Sequence, residues 1–124
     1  IKDSRFDTSP YGCGVALDHC RNTAVSNCEV ARNGWFGILI SESKNISVSD
    51  NLIEGNDRSG ILIEFLRNGS ENIAVSHNRI HFNAGWGLES YAAKNAGITA
   101  NQYAGNGNHV AQEKISAEKV IGME

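Results

Sequence analysis

Three sets of side chains in this 124-residue sequence have the types and spacing that chemistry needs. The first is His77, Arg79 and His81, which alternate with Asn78 and Ile80. Alternate residues of an extended strand share a face, so all three point outward if Ile80 points in. A histidine base beside a guanidinium is the pairing that removes a proton α to a carboxylate while neutralising that carboxylate. The second set is Asp18, His19, Glu42, Glu64, Glu89 and Tyr91, scattered along the chain and useful only if folding gathers them. Gathered carboxylates could act as an acid–base pair with room for a water between them, bridge a calcium ion to an acidic ligand, or form a solvated face. The third set is aromatic: Tyr11, Trp35, Phe36 and Trp86, rigid rings that bury much area against a ring-shaped ligand or wedge a corner.

The chain aligned on itself supplies the elements that would position these groups. Asn22-Thr-Ala-Val-Ser-Asn-Cys-Glu-Val-Ala-Arg-Asn33 lies over Asn45-Ile-Ser-Val-Ser-Asp-Asn-Leu-Ile-Glu-Gly-Asn56. Further copies begin at Asn72 and Asn95, at offsets of 23, 27 and 23 residues. Ahead of each copy runs a glycine and a short apolar strand, starting at Gly14, Gly37, Gly60 and Gly87. The longer interval holds a four-residue insertion within Phe65–Glu71, whose Asn68-Gly69 is a turn signal. Short β-branched runs between Asn and Gly, with no 3.6-residue stripe, predict a β-solenoid rather than a leucine-rich repeat. Three strands would make one rung, with successive rungs stacked in parallel about 4.8 Å apart.

Stacking turns matching letters into vertical columns. The inward columns are Val15/Ile38/Ile61/Leu88, Leu17/Ile40/Ile63/Ser90, Val25/Val48/Val75/Ile98 and Val30/Ile53/Ile80/Tyr103. Three asparagine columns, headed by Asn22, Asn33 and Asn51, sit at corners, where asparagine tolerates left-handed backbone and its amide can bond to the next rung. Between the inward positions, Asp18–Ser41–Glu64–Tyr91 and Ala16–Leu39–Leu62–Glu89 should face solvent. Asp18 and Glu64 would then stand about 10 Å apart across two rungs, too far for a retaining carboxylate pair. Glu29 and Glu54 are the acids available to pair with Arg79 and His81. Trp35 and Trp86 stand one place apart in register and two rungs apart.

Composition excludes some alternatives. The net charge is −3 and the cations are dispersed, so no basic stripe for nucleic acid is present. No run approaches the roughly 20 apolar residues of a membrane-spanning helix. Three cysteines, Cys13, Cys20 and Cys28, without a CxxC pair, suit a core role better than a disulfide framework or zinc site.

The recurring Asn-x-x-Val-Ser-x-Asn-x-Ile-x-x-Asn followed by Gly-Ile-x-Ile resembles the repeat of pectate-lyase-like parallel β-helix proteins, over roughly residues 11–110. The resemblance implies an all-β, right-handed, single-stranded solenoid of about five rungs. One stack is expected over 1–124, with a partial rung at 1–10, regular rungs at 11–110 and a terminal strand or cap at 111–124. Both ends read as cut from a longer chain and as open to end-to-end self-association. It further implies a secreted, periplasmic or cell-surface protein. Such a protein would bind or process an acidic polysaccharide as part of a lyase, hydrolase or epimerase, or serve as a non-catalytic stalk. On that implication Asp18, Glu64, His77, Arg79 and His81 are the candidate catalytic residues. His19, Trp35, Glu42, Trp86, Glu89 and Tyr91 are the candidate substrate contacts, with no metal site and no cofactor beyond a possible calcium. The Asp-Pro-His motif of mannuronan epimerases is missing, Thr8-Ser9-Pro10-Tyr11 being the nearest sequence.

Overall fold

A computed structural model describes residues 1–107 and 113–116. Among the described residues, fourteen short strands form three all-parallel sheets. The first sheet holds β2 (Val15–Asp18), β5 (Ile38–Ser41), β8 (Ile61–Glu64), β11 (Leu88–Tyr91) and β14 (Glu113–Ser116). The second holds β3 (Arg21–Ser26), β6 (Lys44–Ser49), β9 (Glu71–Ser76) and β12 (Lys94–Thr99). The third holds β1 (Arg5–Asp7), β4 (Glu29–Ala31), β7 (Leu52–Glu54), β10 (Arg79–His81) and β13 (Gln102–Ala104). The order is that of a coil visiting each sheet once per turn.

The register is the one the repeat predicts. Val25 pairs with Val48, Val48 with Val75 and Val75 with Ile98. At the start of the chain Lys2 bridges Ser26 and Phe6 stands opposite Val30. Of the expected terminal strand or cap over 111–124, β14 pairs with β11, and the remainder lies outside the described residues. All the inward columns line one core in which Val25, Val30, Ile38, Ile40, Val48, Ile53, Ile61, Ile63, Val75 and Ile80 have no exposed surface. Ile46 and Ile73, paired in a further column, complete it.

The corners differ from expectation in one respect. Left-handed backbone falls on the residue before each buried asparagine, namely Asp50, His77 and Ala100, or Arg32, Gly55, Phe82 and Gly105. The asparagines that are themselves left-handed are the outer Asn22, Asn45, Asn72 and Asn95, together with Asn27, which heads the column of Asp50, His77 and Ala100. The corner must reverse before the asparagine can aim its amide inward. There Asn78 Oδ1 accepts from the backbone N–H and the Nδ2 of Asn51, while Asn78 Nδ2 donates to the Val48 carbonyl and to Asn101 Oδ1. The Asn33–Asn56–Asn83–Asn106 column repeats this arrangement. A third corner uses Ser43 and Ser70, each hydroxyl accepting from a backbone N–H of the rung below.

The glycine column has a steric reason. A Cβ on Gly60 would stand 2.7 Å from the Gly87 carbonyl oxygen and from Ile80 Cγ2, inside contact distance. Rungs close to this distance only without side chains there.

Candidate functional site

The outward face of the first sheet is not a solvated polar surface. Leu39 and Leu62 carry a second buried cluster with Phe36, Phe65 and Tyr91, and Trp35, Cys13 and Ala92 pack around it. Strand alternation correctly put these residues on the side away from the main core. The aromatic side chains of the preceding turn and of the inserted segment then cover that side. As a result Ser41, Glu64 and Tyr91 are buried rather than exposed, Glu64 retaining 3% of its surface.

The acidic set therefore divides into separate arrangements. Asp18 and His19 form an exposed pair, Oδ1 to Nδ1 2.7 Å. Glu64 Oε2 is buried without a hydrogen bond, as is Ser41 Oγ. Burial first, then the negative charges of Asp18 and Glu42, raise the Glu64 carboxyl above the usual carboxylate range, the nearby Ser41 hydroxyl opposing. Glu42 is committed to the inserted loop: its two carboxylate oxygens accept the backbone N–H groups of Leu66, Arg67, Asn68 and Gly69 at 2.7–3.3 Å. Partial burial opposes its ionisation, but these four donors outweigh it and hold Glu42 below its ordinary value. Glu89 accepts from the Ser59 hydroxyl and, at 2.6 Å, from the Tyr91 hydroxyl. The Lys114 ammonium lies 5.5 Å from the Tyr91 ring centre. These are internal contacts.

Nor do the tryptophans form an open platform. Trp35 and Trp86 are half-buried, and Trp35 packs against Phe36 with ring centres 5.2 Å apart. Trp86 is anchored through its backbone N–H to Ser59 Oγ. Tyr11 stands apart, 93% exposed.

An open concave feature lies at the corner between the second and third sheets. A groove of about 550 Å³ is lined there by Asn27, Glu29, Asp50, Leu52, His77, Arg79 and Gln102, with Cys28, Asn51, Asn78 and Ala100. Its shape follows from the left-handed corner column Asn27/Asp50/His77/Ala100, which turns the chain sharply between β-strands on every rung. His77 and Arg79 thus face one concavity, while His81 lies beyond Arg79 on β10, opposite Glu54.

The expected pairing of Arg79 with Glu29 does not form. Leu52 stands between them in the register, and Glu29 instead faces Arg5 at 3.6 Å and Arg32 at 3.9 Å. Among the described residues, the Arg79 guanidinium has no ion pair or side-chain hydrogen bond, and His81 has no ion pair with Glu54. Among the described residues no three His, Cys, Asp or Glu side chains converge as a cation set. Cys13, Cys20 and Cys28 are free thiols, Cys28 buried in the column of Asn51 and donating its backbone N–H to Asn51 Oδ1.

Two groups at this surface escaped the sequence reading. Asp50, one rung below His77, was legible from the alignment as its column neighbour. Phe82 was legible as the one aromatic residue in a corner column that otherwise holds Arg32, Gly55 and Gly105.

Comparison with known proteins adds the family. The model described as "Right handed beta helix region" matches residues 1–117, and the chain belongs to that family. No curated protein and no solved structure matches the chain.

Proposed function

We propose that this chain is the glycan-binding part of a carbohydrate-active β-helix protein, with an acidic sugar held in the groove at His77 and Arg79. The observation that carries the reading is the Arg79 guanidinium, without an ion pair among the described residues, on the wall of an open groove beside His77. A guanidinium matches a carboxylate bidentately, and Asp50 and Gln102 supply hydroxyl-binding groups around it. The groove volume is within the roughly 300–1,000 Å³ of small-molecule sites. If the bound sugar is a uronate, His77 is the group placed to take the proton α to the carboxylate that Arg79 neutralises, which is lyase or epimerase chemistry. Ligands of this kind occur outside the cell or on its surface, consistent with a secreted or surface-attached protein.

A second reading, a non-catalytic binding stalk, is favoured by the regularity of the rungs, interrupted by one short loop that Glu42 pins down. One experiment separates them. The protein is incubated with acidic and neutral glycans while ultraviolet absorbance of new double bonds, reducing ends and calorimetric binding are followed. Double-bond formation supports the lyase, and binding without turnover supports the stalk. Arg79→Gln should weaken acidic glycans about tenfold or more, since hydrogen bonds to charged groups contribute about 1.5–3 kcal/mol, and leave neutral ones unchanged. Absence of acidic-glycan binding by the parent protein would remove both readings.

A further inference from the structure

We infer that Phe82 is a stacking platform for a second sugar ring, so that an acidic oligosaccharide seated at Arg79 runs across the outer face of β10. This rests on the groove reading above and adds a direction and a subsite to it.

Phe82 is 65% exposed, although burying such a ring is among the larger gains a small protein can make. Its backbone is left-handed, with φ 55°, a conformation that is unfavourable for a bulky L residue. One rung below and one rung above, the same corner position is Gly55 and Gly105, each with φ 65°. A phenylalanine here therefore forgoes both burial of most of its ring and backbone ease.

The surroundings keep the ring in place and open. Phe82 lies over Gly105, where an added Cβ would meet ring carbons Cδ1 and Cε1 at 2.5 Å. His81 approaches it edge-on, ring centres 6.0 Å apart at 76°. Its column neighbours Gly55 and Gly105 have no side chain to cover the exposed side, and Arg32, two rungs below, packs over Gly55 and bonds to Asp7. The ring is thus supported from one side by backbone and steadied by a neighbouring imidazole.

Position sets the ligand. Arg79 and His81 are the two outward residues of β10, and Phe82 follows directly. At about 3.3 Å per residue, Arg79 to His81 spans about 7 Å of extended strand, and Phe82 stands at the corner just beyond it. Between them the surface is His81, with Glu54 on the adjacent strand and Ala104 on the other side. A cation, a hydrogen-bonding midsection and an aromatic face in a line suit an extended chain of sugars that is acidic at one end of the site. A single sugar cannot reach both ends.

The test is calorimetry with oligouronates from the monosaccharide to the hexasaccharide. Phe82→Gly matches the glycines of its own column, so it keeps the fold, which circular dichroism checks. It should weaken the longer oligomers about fivefold to tenfold and leave the monosaccharide unchanged. Phe82→Trp should retain length-dependent affinity. Arg79→Gln should weaken every length. If Arg79→Gln weakens binding while Phe82→Gly binds all lengths as the parent does, the platform is overturned and the groove reading stands. If the parent binds no oligouronate, or Arg79→Gln leaves binding unchanged, the groove reading fails and this inference with it.

Discussion

Glu42 and Glu64 stand on consecutive rungs of one face and are pushed in opposite directions. Glu64 is raised by burial, so the folded state holds its proton more tightly than the unfolded chain does. Its contribution to stability is complete below the ordinary value of 4.5 and is lost as pH rises through the raised one. Glu42 is lowered by its four backbone donors, so its contribution is present above 4.5 and lost as pH falls through the lowered value. Asp7, held down first by its hydrogen bond with Arg32, adds to the acid-side loss. Stability governed by these groups should therefore peak near pH 4.5. In denaturant titrations across pH, Glu64→Gln should flatten the decline toward neutrality. Glu42→Gln should reduce the acid-side decline without abolishing it. Parent-like pH profiles in both variants would show that neither environment acts as described.

The corners are where single elements decide the fold. Asn78→Ala would leave the backbone N–H of Asn51 and the Val48 carbonyl without the partners they now have inside the stack. Unsatisfied buried groups cost about 1–3 kcal/mol each, so a loss of about 3 kcal/mol or more is expected. Asn45 makes the same kind of amide contact, to Asn22 at 3.0 Å, but on the exposed column where water can replace it. Asn45→Gly, which removes the amide and keeps the left-handed backbone (φ 58°) unstrained, should cost less than about 1 kcal/mol. Unfolding midpoints of the two variants measure the contrast directly, and equal losses would mean that burial is not what gives the inner ladder its value.

At the scale of the whole molecule, each rung meets only its neighbours, so stability varies along the axis. The central rungs enclose fully buried Val48, Ile53, Ile61, Val75 and Ile80, whereas Ile98 and Tyr103 one rung on are only partly buried. Amides of β6 and β9 should thus exchange with solvent more slowly than those of β12. Hydrogen-exchange mass spectrometry resolves these strands, and β12 protection equal to that of β6 would contradict a graded stack.

Much of this was legible in the sequence because the period does the folding. A copy repeating every 23 residues can bury its Val and Ile only by stacking on the next, so the inward columns, the register and the asparagine ladders followed from the letters. The insertion at Phe65–Glu71 could be located as well, since it changes one interval and no column. Which outward face stays open could not be read this way. Alternation says that Leu62 and Glu64 point away from the main core, but not that Phe36 and Phe65 return over them. Nor does it say that Glu42 spends its carboxylate on four loop amides. Side-chain direction is a local property of the strand, whereas exposure depends on what turns and loops place above it. That is why only the tertiary structure separated the two candidate sets, covering the acids of the first sheet and leaving His77 and Arg79 open in the corner groove.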